Sequence, residues 1–112
     1  MSRTALSDSQ FQAISRALAD PRRFSILEKI AAHRELACMC LVAEVPITQA
    51  TLSHHVKELA AAGLVSCRKE GKCGHFRVNR GVLSAYQAEL RRRLALSGAA
   101  RRTAARSSSA AV

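Results

Sequence analysis

Gln49, Ala50, Thr51, Ser53 and His54 place a carboxamide, a methyl group, two hydroxyls and an imidazole within six residues. That set matches the edges of nucleic-acid bases, because a carboxamide can bridge N6 and N7 of adenine and a small methyl can meet the methyl of thymine. Thr48 and Lys57 lie beside them, and Arg68, Lys69, Lys72, His75 and Arg77 follow a short way on. Those residues suit phosphates, which give affinity and register more than sequence choice. Catalysis fits badly. Its candidates are His54-His55 and scattered cysteines, without a Gly-rich phosphate loop or paired carboxylates, so an enzyme is not expected.

Four cysteines carry a second kind of chemistry: Cys38, Cys40, Cys67 and Cys73. Thiolates favour soft metal ions, which makes Cys38-Met39-Cys40 a candidate pair for a soft metal or metalloid ion. Helix phase opposes it, since Cys38, Leu41, Val42 and Val45 form an i, i+3, i+4, i+7 stripe that turns Cys38 toward a core. A buried free cysteine behaves as a small hydrophobe. Cys67 and Cys73 flank a segment rich in Arg and Lys, where a lowered thiol pKa would favour oxidation to a disulfide. No cofactor is required by any motif.

These groups need elements to hold them. Thr48 is an N-cap and Gly63 suits the left-handed residue that ends a helix, which predicts a recognition helix over 48–62. Leu52, Val56 and Leu59 make its apolar stripe, and His55 beside them is expected to be packed and hydrogen-bonded rather than to read bases. Val65 to Lys69 and His75 to Val78 read as strands, joined by Glu70-Gly71-Lys72-Cys73-Gly74, whose two glycines permit positive-φ turn geometry.

Upstream, Ser7 or Asp8 caps a helix through about Leu18, and Asp20-Pro21 opens a second that ends near His33. A short helix over Ala37 to Val45 stops at Pro46. After the hairpin, Arg80 to Leu96 forms a last helix. Phe11, Ile14 and Leu18 on the first helix, with Leu83, Tyr86, Leu90 and Leu94 on the last, give more apolar surface than one small core absorbs, so a homodimer closing through those helices is expected. The fold class is therefore mainly α with a small β-hairpin, a winged helix-turn-helix. Residues 1–7 are expected to be a flexible start, 8–96 the DNA-binding and dimerisation domain, and 97–112 a disordered Ala/Ser/Arg-rich tail.

At 112 residues the chain suffices for one domain, and 48% hydrophobic with only 4% aromatic residues points to a core of aliphatic side chains on helices. Net charge is +10, of which residues 1–67 hold +1 and residues 68–112 hold +9. Such asymmetry attracts a polyanion, and double-stranded DNA is the expected partner. No apolar run is long enough to span a bilayer, and the start lacks the apolar stretch of a secretory signal, so a cytoplasmic protein without a membrane partner is expected. No small-molecule pocket is expected either.

The residues resemble the ArsR/SmtB type of bacterial winged helix-turn-helix repressors. The matching segments are Ala17-Leu18-Ala19-Asp20-Pro21-Arg22-Arg23 with Ile26-Leu27, then Thr48 through Leu64, then Arg68-Lys69-Glu70-Gly71-Lys72 leading to Phe76-Arg77-Val78. The family's Ser-x-His before an apolar residue is matched by Ser53-His54-His55-Val56. The resemblance implies a dimeric repressor that occludes a promoter by binding an inverted-repeat operator. Its metal-binding Glu-Leu-Cys-Val-Cys-Asp-Leu motif faces Glu35-Leu36-Ala37-Cys38-Met39-Cys40-Leu41, which puts Ala37 and Met39 at the ligand positions. A second family metal site on the last helix is absent, since Val82 to Leu96 holds Glu89 and no histidine. Two other readings stay open: a thiol-based metal-responsive or redox-responsive repressor, and a winged-helix RNA-binding or protein-docking module. RNA readers present stacking aromatics, and Phe76 alone lies near the basic segment.

Overall fold

Each of three helices begins where the sequence supplies a side-chain acceptor for its unpaired first-turn N–H groups. The computed structural model describes residues 6–71 and 73–96, with the backbone alone at Cys73. In α1 (Asp8–Ala19) the Ser7 hydroxyl accepts from the Gln10 N–H at 3.0 Å. In α2 (Pro21–Ala31) the Asp20 carboxylate accepts from the N–H groups of Arg22 and Arg23 at 2.8 and 3.2 Å. The Arg23 bond is the larger cause of a carboxyl held below its usual value. Thr48 opens α4 (Gln49–Ala61) by accepting from the Thr51 N–H at 3.2 Å. Gly63 ends that helix at φ 82°, where Leu64 N–H donates back to Leu59 C=O at 3.0 Å.

α2 stops at Ala31, short of His33, and α3 spans only Cys38–Glu44. The cause is a strand that the sequence did not announce. Leu36–Ala37 forms β1, which pairs antiparallel with β3 (Cys73–Val78) in the register Leu36 to Phe76 and Ala37 to His75. β2 (Val65–Glu70) pairs with the other edge of β3, from Val65 opposite Val78 to Glu70 opposite Cys73, so the sheet order is β1-β3-β2. The wing is thus a three-stranded sheet whose hairpin strands run closer to the tip than expected. Gly71 takes the positive φ of the turn at 64°, whereas Gly74 is an ordinary strand residue. The expectation that both glycines serve the turn is corrected: with a tight turn between Glu70 and Cys73, only Gly71 stands at its apex.

Ile14, Ile26, Ile30, Leu41, Leu52, Leu59 and Leu64 are the largest fully buried side chains and join α1 to α4 with the root of the wing. Asn79 stitches that root together, its side-chain amide donating to Gly63 C=O at 2.8 Å and its backbone N–H to Leu64 C=O at 2.9 Å. Asn79 also precedes α5 (Arg80–Arg93), to which its side chain makes no capping bond. α5 ends at Arg93 instead of Leu96, with Ala95 in the left-handed region at φ 54° and Leu96 N–H donating to Arg91 C=O at 2.8 Å. No apolar side chain of α5 is buried, and Glu89 is its one buried residue. The segment 97–112, read as a disordered tail, and residues 1–5 of the start read as flexible lie outside the described residues.

Candidate nucleic-acid interface

α4 divides cleanly by exposure. Gln49, Ala50, Thr51, Ser53, His54 and Lys57 are exposed, while Leu52, His55, Val56 and Leu59 are buried. The division follows from helical spacing, because the stripe at 52, 56 and 59 packs on the core and turns the head of the helix outward. Thr48 accepts from Thr51 N–H and donates to the Thr51 hydroxyl at 3.0 Å, so the two threonines hold each other in place. His55 is 7% exposed, and neither ring nitrogen has a hydrogen-bond partner among the described residues. It is packed as expected but not hydrogen-bonded, which corrects half of that reading: the apolar stripe it joins offers carbon contacts and no acceptor.

The wing's cations are not equivalent. Arg68 donates from Nη2 and Nε to the two carboxylate oxygens of Glu35, at 2.9 and 3.1 Å, and from Nη1 to Glu70 at 3.2 Å. The Arg68 hydrogen bonds hold the Glu35 carboxyl below its usual range. His75 Nε2 lies 3.5 Å from the same Glu70 oxygen. Arg68 and His75, both read as phosphate ligands, are thus held by carboxylates of the chain itself. Lys69 and Arg77 are exposed and, among the described residues, pair with no carboxylate. Lys72 lies outside the described residues. Glu35 went unread because its partner is 33 residues away, a separation with no periodic signal.

The C-terminal excess of charge is likewise partly neutralised on the spot. Glu89, 8% exposed, accepts from Arg92 at 2.6 Å and from Arg93 at 2.7 Å, and these bonds hold its carboxyl down to about 2. Arg93 also reaches Asp8 at 3.0 Å and lies 4.0 Å over the Phe11 ring, which fastens α5 to α1. Phe11 stacks on Tyr86 at 4.9 Å, and the Tyr86 hydroxyl meets that of Ser15 at 2.9 Å. Of the residues assigned to a dimer contact, Ile14 has 0% exposure inside its own protomer. That assignment is corrected, since Ile14 has no surface to give. Leu18, Leu83, Tyr86 and Leu90 are half-buried and Leu94 is 60% exposed.

At the root of the wing a solvent-open groove of about 540 Å³ is lined by Arg34, Ser66, Arg77, Asn79 and Arg80 with Gly81. It lies where the loop between α2 and β1 stands beside the start of α5. Arg80 is anchored there, donating to Ala31 C=O at 2.9 Å and so covering the end of α2.

Residues 18–68 match the model of a family described as a helix-turn-helix domain. A helix-turn-helix transcriptional regulator of Methanocaldococcus jannaschii is 41% identical over 59 residues, which are 52% of this chain and 65% of that protein. The arsenical resistance operon repressor of Staphylococcus xylosus is 33% identical over 78 residues, covering 70% of this chain and 74% of the repressor. The chain belongs to the ArsR-type family of winged helix-turn-helix regulators. Its fold agrees with that of a crystal structure of the ArsR family regulator RHA00566, at a TM-score of 0.71 and 22% identity over 83% of this chain and 95% of the other. A homodimeric winged helix-turn-helix DNA-binding domain from Mycobacterium bovis superposes at 0.61 with 24% identity, over 79% and 88%.

In this ArsR-type chain the two cysteine pairs read from sequence do not close. Cys38 is half-buried against the core, as its phase required, whereas Cys40 is exposed. Two positions along a helix turn them ~200° apart at ~3.6 residues per turn, so their thiols diverge. Cys67 faces Phe76 across the ladder and Cys73 faces Glu70, so their Cα atoms stand three positions apart along the strands. At ~3.4 Å per residue that exceeds the ~7 Å limit for a disulfide, and the Cys67–Cys73 bridge is corrected. The side chain of Cys73 lies outside the described residues. Among the described residues no group of three or more metal-ligating side chains comes together, and no helix is long and apolar enough to cross a membrane.

Proposed function

We propose that this ArsR-type chain represses transcription as a homodimer, binding an inverted-repeat operator and occluding a promoter. The observation that carries the reading is the division of α4, whose capped head is exposed and hydrogen-bonding while its stripe is buried. Gln49, Ala50, Thr51, Ser53 and His54 face the base edges of the major groove, where the head of a second helix-turn-helix helix lies. Thr48, Lys57, Lys69, Lys72 and Arg77 hold phosphates.

Dimerisation draws support from α5, which lacks buried apolar residues and leaves Leu90 half-buried and Leu94 exposed, and from the homodimeric M. bovis relative in fold. Two-fold symmetry then sets half-sites ~34–36 Å apart or a multiple of that spacing. The test is a gel-shift series on the chain's own upstream DNA. Gln49→Ala should lower affinity for the operator ~5–150-fold per half-site, the equivalent of ~1–3 kcal/mol for each bidentate base contact, and leave scrambled DNA unaffected. Equal losses on both duplexes would remove Gln49 from base reading, and no specific duplex at all would end the regulator reading.

A further inference from the structure

The groove at the root of the wing is lined by guanidiniums and by no carboxylate. Arg34, Arg77 and Arg80 share it with Ser66, and all four side chains are exposed. The register brings two of them to one place, since Ser66 stands directly opposite Arg77 across the β2–β3 ladder. Arg80 is fixed from behind: its Nη2 donates to Ala31 C=O at 2.9 Å and to His33 C=O at 3.4 Å, while its Nε and Nη1 have no partner among the described residues. Backbone carbonyls thus position that guanidinium without cancelling its charge. Glu35 follows Arg34 in the chain, but both of its carboxylate oxygens are taken by Arg68. Among the described residues Arg34 and Arg77 pair with no carboxylate either.

Three like charges along one concavity repel one another, and with no carboxylate among them the groove favours an anion. At about 540 Å³ it has the size of a small-molecule site rather than of a single phosphate contact on DNA. A phosphoryl group offers three acceptor oxygens and a charge of ~−1.5 to −2 at pH 7, and the planar fork of a guanidinium matches those oxygens with paired N–H bonds. Val78 and Val82 add an apolar wall for the rest of an organic ligand. We infer that the Arg34–Arg77–Arg80 groove binds the phosphoryl group of a small phosphorylated molecule, with the Ser66 hydroxyl beside it. Arg77 is also assigned to DNA phosphates, so ligand and operator compete for it. That competition rests on the repressor reading, whereas ligand binding does not.

The experiment is isothermal titration calorimetry of the full chain with inorganic pyrophosphate at constant ionic strength, chloride being the balancing anion. Arg34→Ala should weaken binding about tenfold or more, the loss of one charge-assisted pair, while Arg22→Ala, which removes an equal charge from the exposed start of α2, should leave it within about twofold. Ser66→Glu should fold normally at its exposed strand position and abolish binding, because it sets a carboxylate opposite Arg77. Equal weakening in Arg22→Ala and Arg34→Ala would reduce the site to the general attraction of a basic chain and overturn it, as would full affinity in folded Ser66→Glu. A second arm separates the two sources of phosphate. Pyrophosphate should lower operator affinity of the wild type by about tenfold and leave that of Ser66→Glu almost unchanged. If pyrophosphate does not bind and Arg34→Ala lowers the salt slope of DNA binding, the groove belongs to the DNA backbone and the small-molecule site falls. A wild-type chain that binds pyrophosphate but no operator would overturn the repressor reading and leave the site standing.

Discussion

Replacing Arg68 by alanine should leave the salt dependence of DNA binding almost unchanged, while replacing Arg77 should reduce it. Both are wing arginines, and charge alone would rank them together. Arg68, however, carries two carboxylate partners, Glu35 at 2.9 and 3.1 Å and Glu70 at 3.2 Å, so no net positive charge stands there to displace a counterion from DNA. Arg77 pairs with no carboxylate among the described residues. Each phosphate neutralised adds ~0.9 to the slope of log affinity against log salt, so the proposed dimer without Arg77 loses ~1.8 from that slope. Between ~50 and ~200 mM salt this amounts to a ~12-fold smaller fall in affinity than the wild type shows. The assay is fluorescence anisotropy with a labelled operator at several salt concentrations, beside a thermal melt of each variant. A drop of ~0.9 per chain for folded Arg68→Ala would refute the reasoning, because Arg68 would then leave its carboxylates for DNA. The double variant Glu35→Gln, Glu70→Gln tests the same point from the other side, since it removes both carboxylates from Arg68 and should steepen the slope.

Ile14→Ala should cost about 2–5 kcal/mol in chemical denaturation, because it empties a fully buried site at the centre of the core. Thr48→Ala removes the acceptor that begins α4 and should cost about 1 kcal/mol, with weaker operator binding as the head of the helix frays. His55→Leu should stabilise the chain in thermal melts and preserve DNA binding, since it removes two unpartnered ring nitrogens from the core; a clear loss of stability would show that His55 has a partner after all. For Glu89 the folded carboxyl titrates near 2 against an ordinary 4.5, so its contribution is complete above pH 4.5 and is lost as pH falls from there toward 2. In acid titrations followed by emission of the single tyrosine, Tyr86, the wild type should loosen through that window, and Glu89→Gln should be weaker at neutral pH with a flatter acid limb.

What could be read in the sequence was what local spacing controls. Thr48 and Gly63 bracket α4, Asp20-Pro21 opens α2, and the stripe at Leu52, Val56 and Leu59 faces inward, because caps and periodicity act within a few residues. Contacts made across the fold were not legible. β1 is two residues long and exists only through its pairing with β3, so it has no alternation to detect. The Glu35–Arg68 pair lies beside that same strand and joins residues 33 positions apart. Ile14 failed as a dimer residue for a related reason. A helical stripe tells which side is apolar but not whether its own protomer or a second copy covers it.

The short strand β1 has one more effect, on the solubility of the wing. By occupying one edge of β3 at its middle, it leaves β2 as the long open edge of the sheet, with unpaired backbone groups facing solvent. Open edges recruit strands from other molecules unless charge or twist prevents it. Here every β2 residue after Val65 is exposed, and Arg68, Lys69 and Glu70 stand in succession along it. These charged side chains of β2 thus keep wings of neighbouring molecules apart, so neutralising Lys69 together with Arg68 should first show itself as concentration-dependent aggregation of the free protein.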